Sequence, residues 1–233
     1  MRTGQPAPVP KPSPLVWITR AEPGASATAG RVRAMGWTPL TAPLLEARTL
    51  ADATFDLTGV AAVAFTSAQG VRAFAALTGA RPPAFTVGEA TAEAARAAGF
   101  GTVRSADGDV AALAGLIAAA DPGPILHAGA LHPAGDLTGD LTARGLSARA
   151  VALYDTVPVD PGPALSKLRQ ITVVLTHSPR ASALLARALT AHPAPHLRLL
   201  ALSEAVAAPL RALENAKIAV APFPNETSLL NLL

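Results

Sequence analysis

One corner occurs twice in this chain, and it limits what the chain can fold into more than any other feature. In "AVAFTSAQGVRAF", residues 62–74, a short apolar run breaks on Thr66 and Ser67 and passes straight into helical spacing at Val71 and Phe74. In "VVLTHSPRASALL", residues 173–185, a similar run ends on Thr176, His177 and Ser178. Superposed, Val63 meets Val174, Ser67 meets Ser178 and Phe74 meets Leu185, an offset of 111 residues. A second pair, "VGEATAEAAR" and "LSEAVAAPLR", sets Glu89 on Glu204 and Arg96 on Arg211 at an offset of 115. Solenoid repeats run about 20–50 residues, so this longer period points to a duplicated domain. The expectation is two similar units, with both serine corners facing one cleft between them.

The rest of the chain has the same grammar. Short runs rich in Val, Ile and Leu alternate with longer Ala/Leu/Arg stretches of helical period, the βαβ pattern of a parallel sheet. Strands are expected near 15–19, 38–43, 61–66, 84–87 and 102–104, then 124–127, 147–154, 171–176, 197–201 and 218–220. Helices are expected to start near Ala25, Ala68, Glu89, Asp109, Ala134, Pro179, Glu204 and Glu226. The fold class is α/β: two doubly wound parallel-sheet units of flavodoxin-like type. With half of its 233 residues hydrophobic, the chain can fill two cores of roughly 100 residues each. Residues 1–14, Pro-rich and unpatterned, are expected to be a disordered lead-in.

Composition removes several function classes. There is no cysteine, hence no disulfide framework and no thiolate metal site. A net charge of +3 suits an anionic small molecule and is too weak to argue for nucleic acid. No apolar run approaches the ~18 residues of a membrane helix. Nothing argues for secretion, so the expected location is the cytoplasm. Glycine-rich dinucleotide and phosphate-loop motifs are absent, as is the nucleophile elbow. His127 with His132, and His192 with His196, have spacings that make no metal site with the other residues here.

In open parallel sheets, ligands bind beyond the carboxyl ends of the strands. Those ends carry Thr19-Arg20, Thr66-Ser67, Gly88-Glu89-Ala90-Thr91, His127-Ala128-Gly129, Thr176-His177-Ser178, Ser203-Glu204 and Pro224-Asn225-Glu226. Most stand just before a helix, where unpaired amides and the positive dipole end attract carboxylate or phosphate. Each of these residues can equally be an ordinary helix cap. Arg20 is either a carboxylate clamp or a surface charge. Tyr154, the sole tyrosine, either packs or supplies a phenol to chemistry. Glu89 and Glu204 read as first-turn acids favoured by the helix dipole.

Six pieces, in order, resemble the uroporphyrinogen-III synthase family. They are "VWITRAEPGASATAGRVRAMGWTPLTAPLLE", "AVAFTSAQGVRAF", "VGEATAEAARAAGF", "ILHAGALHPAGDLTGDLTARGLSARAVALYDTVP", "VVLTHSPRASALL" and "APFPNETSLLNLL". The resemblance implies a discontinuous first lobe, 15–43 plus 157–233, and a second lobe over 47–150, joined by short strands at 44–46 and 151–156. It implies as substrate hydroxymethylbilane, a linear tetrapyrrole with several carboxylates. The implied reaction loses the hydroxyl to give an azafulvenium cation, forms a spiro intermediate, and recloses with the last ring inverted. No cofactor or metal is implied, and the working form is a monomer. Tyr154 falls where the family has a tyrosine beside the departing hydroxyl. Substrate-binding positions fall on Ser67, Thr91, Ser178 and Asn225, and the corner residues Arg20, Thr66 and Ser203 join them. Asn225 stands where many relatives carry Thr, and Ser203 where Gly is usual.

Two rivals fit the same corners. One is a non-catalytic two-lobed receptor for a small polyanion, which has no need of Tyr154. The other is a synthase-like domain that has lost activity and serves regulation.

Overall fold

The structure, a computed structural model, describes residues 14–133 and 135–233. All but Pro14 of the expected lead-in, and the helix start expected at Ala134, lie outside the described residues. The described residues divide into two compact units, one of 14–46 with 158–233, and a second within 47–157.

From its first strand the chain builds β1 (Leu15–Ile18), α1 (Gly24–Ala34) and β2 (Thr38–Thr41). It then passes through β3 (Leu45–Thr49) into the second unit: β4 (Ala62–Phe65), α2 (Ala68–Leu77), β5 (Ala84–Thr86), α3 (Glu89–Ala97) and β6 (Val103–Ser105). Next come α4 (Val110–Ala120), β7 (Ile125–Ala130), α5 (Leu137–Ala143) and the long β8 (Ala148–Pro158). The first unit closes with α6 (Gly162–Leu165), β9 (Ile171–Thr176), α7 (Pro179–Ala191), β10 (Arg198–Ala201), α8 (Glu204–Ala207), β11 (Lys217–Val220) and α9 (Glu226–Leu230). A 3-10 turn at Ala208–Ala212 extends α8. Of the segments expected as joining strands, 151–156 falls within β8 and 44–46 overlaps β3, which starts at Leu45; β3 and β8 neighbour each other at the edge of the second sheet.

The sheet order in the first unit is β11-β10-β9-β1-β2, and in the second β3-β8-β7-β4-β5-β6. In chain order within the unit, the first is 2-1-3-4-5, the flavodoxin arrangement. The second, without β3, is 3-2-1-4-5. The two orders become the same when the first unit is counted from β9: β9, β10 and β11 then correspond to β4, β5 and β6, while β1 and β2 correspond to β7 and β8. The repeat is therefore cyclically permuted. The first βαβ of the chain occupies the place that β7-α5-β8 occupies in the other unit. All resolved pairings among these strands are parallel.

Both faces of each sheet are covered by helices, which is why the strands read as continuous apolar runs rather than alternations. In the first unit Trp17, Val174 and Leu199 pack under α7, while Val16, Ile18, Val173 and Leu175 pack against residues of α1 and α9. In the second, Val63, Phe65 and Leu126 pack with Phe74 of α2 and Phe100, and Ala62, Ala64 and Phe85 pack with Leu113 and Ile117 of α4. Buried threonines at strand ends serve the sheet. Thr19 Oγ1 donates to the Leu175 carbonyl at 2.8 Å and Thr176 Oγ1 to that of Leu200 at 3.2 Å.

Several local expectations shift. Helix α5 begins at Leu137, because the Asp136 carboxylate caps it by accepting from the Gly139 amide. The strand expected over 147–154 runs on to Pro158. The expected corner role of Thr19 and Thr176 gives way to these bonds across strands. Gly36, Gly99 and Gly145 do end helices at φ of +82°, +90° and +82°, a region that strains other residues.

Candidate functional site

Around the carboxyl end of β4, the second unit gathers four polar side chains: Thr66 and Ser67 just past that end, His127 inside β7, which runs on to Ala130 instead of ending at His127, and Tyr154 inside β8. Ser67 caps α2 from an extended backbone, and its Oγ accepts from the Gly70 amide at 3.3 Å. The same Oγ lies 2.8 Å from the Tyr154 phenol oxygen. Thr66 Oγ1 lies 3.3 Å from His127 Nε2. Burial pushes the His127 imidazole below its ordinary 6.5, and the nearby Asp136 charge offsets this only in part, so the ring is neutral at pH 7. Tyr154 is 9% exposed, and its backbone carbonyl accepts from the Leu131 amide at 2.8 Å.

Local sequence explains why this corner holds. Helix α2 comes so near β7 that a Cβ on Gly70 would stand 2.6 Å from the Ala128 carbonyl oxygen. Only glycine permits that approach, and it fixes Ser67 against the strand that precedes Tyr154 in the sheet. Ser67's hydroxyl, already accepting from Gly70, has its own proton free to donate to the phenol oxygen. The phenol proton can then point to a third group. A phenol held in this way can donate to a leaving hydroxyl.

The first unit presents the permuted counterpart. Ser178 caps α7 by accepting from the Ala181 amide at 3.2 Å, and its backbone matches that of Ser67. Ser203 caps α8 (Val206 amide, 3.4 Å) and Asn225 caps α9 (Ser228 amide, 2.9 Å). Arg20, just past β1, donates from Nη1 to Glu226 at 3.1 Å, and His177 Nε2 lies 3.0 Å from the same carboxylate oxygen. Thr28 donates to the other oxygen at 2.5 Å. Burial alone would raise the Glu226 pKa. Hydrogen bonds from His177 and Thr28, with the charges of His177 and Arg20, outweigh it and hold the group at about 2. A Cβ on Gly24 would fall within 2.4–2.6 Å of the Arg20 guanidinium, so glycine there leaves the space that this side chain fills.

The eight candidate residues thus separate. Tyr154, Ser67 and Thr66 stand together with His127 in the second unit. Thr91, also of that unit, is 6% exposed in the first turn of α3. Arg20 is joined to Glu226, the residue after Asn225. Ser178 and Ser203 each cap their own helix. His127, His177 and Glu226 entered the sequence reading as corner neighbours, His127 also in a histidine pair and Glu226 also as a helix start. Their partners lie 61, 49 and 206 residues away, and no local spacing announces such pairings. Glu89 and Glu204 make the same exposed ion pair in the two units, with Arg96 at 2.5 Å and Arg211 at 2.6 Å. Among the described residues, no group of three or more His, Cys, Asp or Glu is placed to hold a metal ion, and no helix is long and apolar enough to cross a membrane.

A family model described as uroporphyrinogen-III synthase HemD matches residues 26–231. Among solved structures, the chain is similar to uroporphyrinogen-III synthetase from Helicobacter pylori, with a TM-score of 0.62 and 16% identity over 94% of this chain and 97% of that one. It is also similar to a mutant uroporphyrinogen III synthase from Thermus thermophilus, with a TM-score of 0.49 and 18% identity over 94% and 96%. The Helicobacter likeness establishes the α/β fold. No curated protein sequence matches the chain significantly.

Proposed function

Since the chain belongs to the uroporphyrinogen-III synthase family, a family of cyclising lyases, we propose that it closes hydroxymethylbilane to uroporphyrinogen III and that Tyr154 assists the first step. The observation that carries the assignment of Tyr154 is the 2.8 Å contact between its phenol and Ser67 at the carboxyl end of β4. With Ser67 donating to the phenol oxygen, the phenol proton is directed at the substrate hydroxyl. The hydroxyl leaves as water and the pyrroles supply the electrons, leaving an azafulvenium cation. The cation is attacked by the substituted carbon of the last ring; the resulting spiro species breaks that ring's original methylene bond and recloses through its free α-carbon with the ring inverted, and the proton lost from that carbon restores the phenol. The protein's larger share is holding the chain in the geometry of that attack. Substrate carboxylates are met by first-turn amides behind Ser67, Ser178, Ser203 and Asn225, by Thr66 and Thr91, and by Arg20. Capping leaves the other first-turn donors available. On this reading the protein acts as a monomer in the cytoplasm, on a small polycarboxylate and without nucleic acid, in keeping with its net charge of only +3.

Tyr154→Phe tests the assignment. A positioned acid is worth roughly 10²–10⁴ in rate, and a phenol with a pKa near ~10 is a weak one, so kcat falls by about 10²-fold or less. The product the variant makes, after subtraction of spontaneous closure, remains the inverted isomer. An unchanged kcat shows that Tyr154 only packs. The receptor alternative, which has no use for the phenol, predicts no turnover by either protein.

A further inference from the structure

Among the described residues three large apolar side chains are conspicuously exposed: Met35 at 44%, Leu131 at 46% and Phe223 at 66%. Leu131 and Phe223 both stand just past the carboxyl end of a parallel strand, β7 and β11 respectively. Met35 caps the far end of α1 and so lies at the opposite edge of its sheet. The other five phenylalanines, Phe55, Phe65, Phe74, Phe85 and Phe100, belong to core clusters or pack against them. Phe223 alone faces solvent. It sits between Pro222 and Pro224, each with φ fixed by its ring, and its carbonyl accepts from the Asn225 amide at 2.7 Å. The turn is therefore stiff, and the phenyl is presented with little entropy left to lose on binding. Leu131 is tied by its amide to the Tyr154 carbonyl, which keeps its exposed side chain beside the phenol strand.

The polar corners account for a ligand's carboxylates and leave its flat apolar faces without a partner. We propose that Phe223 and Leu131 are substrate contacts that pack on pyrrole rings: Phe223 as a stacking platform in the first unit, and Leu131 as an apolar support next to Tyr154 in the second. The inference rests on the tetrapyrrole substrate proposed above. These contacts form on binding and persist through the reaction, so they lower KM rather than raise kcat.

The test is steady-state kinetics on hydroxymethylbilane with Phe223→Ala, Leu131→Ala and, as an exposed apolar control, Met35→Ala. KM rises about tenfold for Phe223→Ala, from the loss of a stacking face, and about fivefold for Leu131→Ala. In both, kcat stays within about twofold of the parent, and Met35→Ala matches the parent in both constants. Phe223→Tyr and Leu131→Met restore KM. All three positions are exposed, so thermal midpoints stay near the parent's. An active parent enzyme with KM unchanged in Phe223→Ala and Leu131→Ala overturns the inference and leaves the proposed function standing, as does an equal rise in Met35→Ala. A parent that forms no uroporphyrinogen III overturns both.

Discussion

Ser67 Oγ accepts from the Gly70 amide and also meets the Tyr154 phenol, whereas Ser178 Oγ has, among the described residues, only the Ala181 amide. Losing a serine cap costs about 1 kcal/mol of stability, so Ser67→Ala and Ser178→Ala should lose stability alike in urea titrations. Their activities should differ. Ser178→Ala keeps kcat within about threefold of the parent, while Ser67→Ala, which frees the phenol, approaches the loss seen in Tyr154→Phe. Equal kcat values in the two variants would remove Ser67 from the chemistry. Glu226 carries a separate residue-scale prediction. Its folded pKa of about 2 lies below the ordinary 4.5, so its ionised form stabilises the fold fully above pH 4.5, and that contribution is lost as the pH falls through about 2. The carboxylate is 16% exposed, and after solvent screening the contribution is on the order of 2 kcal/mol. Urea midpoints should therefore fall more steeply between pH 4.5 and 2 in the parent than in Glu226→Gln, and parallel slopes would contradict the assignment.

At the scale of elements, the contact between α2 and β7 sets the corner. Gly70→Ala places a methyl group against the Ala128 carbonyl, backbone against which nothing flexible can yield. Overpacking of this kind costs about 1–3 kcal/mol, and kcat should fall with it because Ser67 moves relative to Tyr154. A stable Gly70→Ala protein with full kcat would show that the corner tolerates a wider gap. The corresponding residue of α7, at the 111-residue offset, is Ala181, so the close approach belongs to the second unit alone. The strands and helix starts are legible in sequence because a buried parallel strand is an apolar run and a cap is a Ser, Asp or Asn at its end. Ser67, Ser178, Ser203 and Asn225 all cap as that grammar requires. The pairings that give the corners their chemistry are not legible. Ser67 meets Tyr154 across 87 residues, and Arg20 meets Glu226 across 206, through sheet neighbours that periodicity does not specify. Nor is the extension of β8 to Pro158, since Asp155, Thr156 and Val157 are only half-buried and the run lacks the apolar signature.

For the whole molecule, the cyclic permutation explains why the repeat is visible in sequence and yet incomplete. The segments β4-α2-β5-α3 and β9-α7-β10-α8 follow one another in the same chain order, so their corners align at offsets of 111 and 115. Strands β7 and β8 have their counterparts at the start of the chain, where no such offset reaches. This chain directs ring inversion, and the product isomer reports it. Hydroxymethylbilane left to itself closes without inverting its last ring. The purified protein should be given enzymatically generated hydroxymethylbilane, the products oxidised to porphyrins, and the I and III isomers resolved chromatographically. Isomer III in large excess, rising with protein concentration, is the predicted result. Isomer I alone, formed at the rate seen in buffer, would contradict the account.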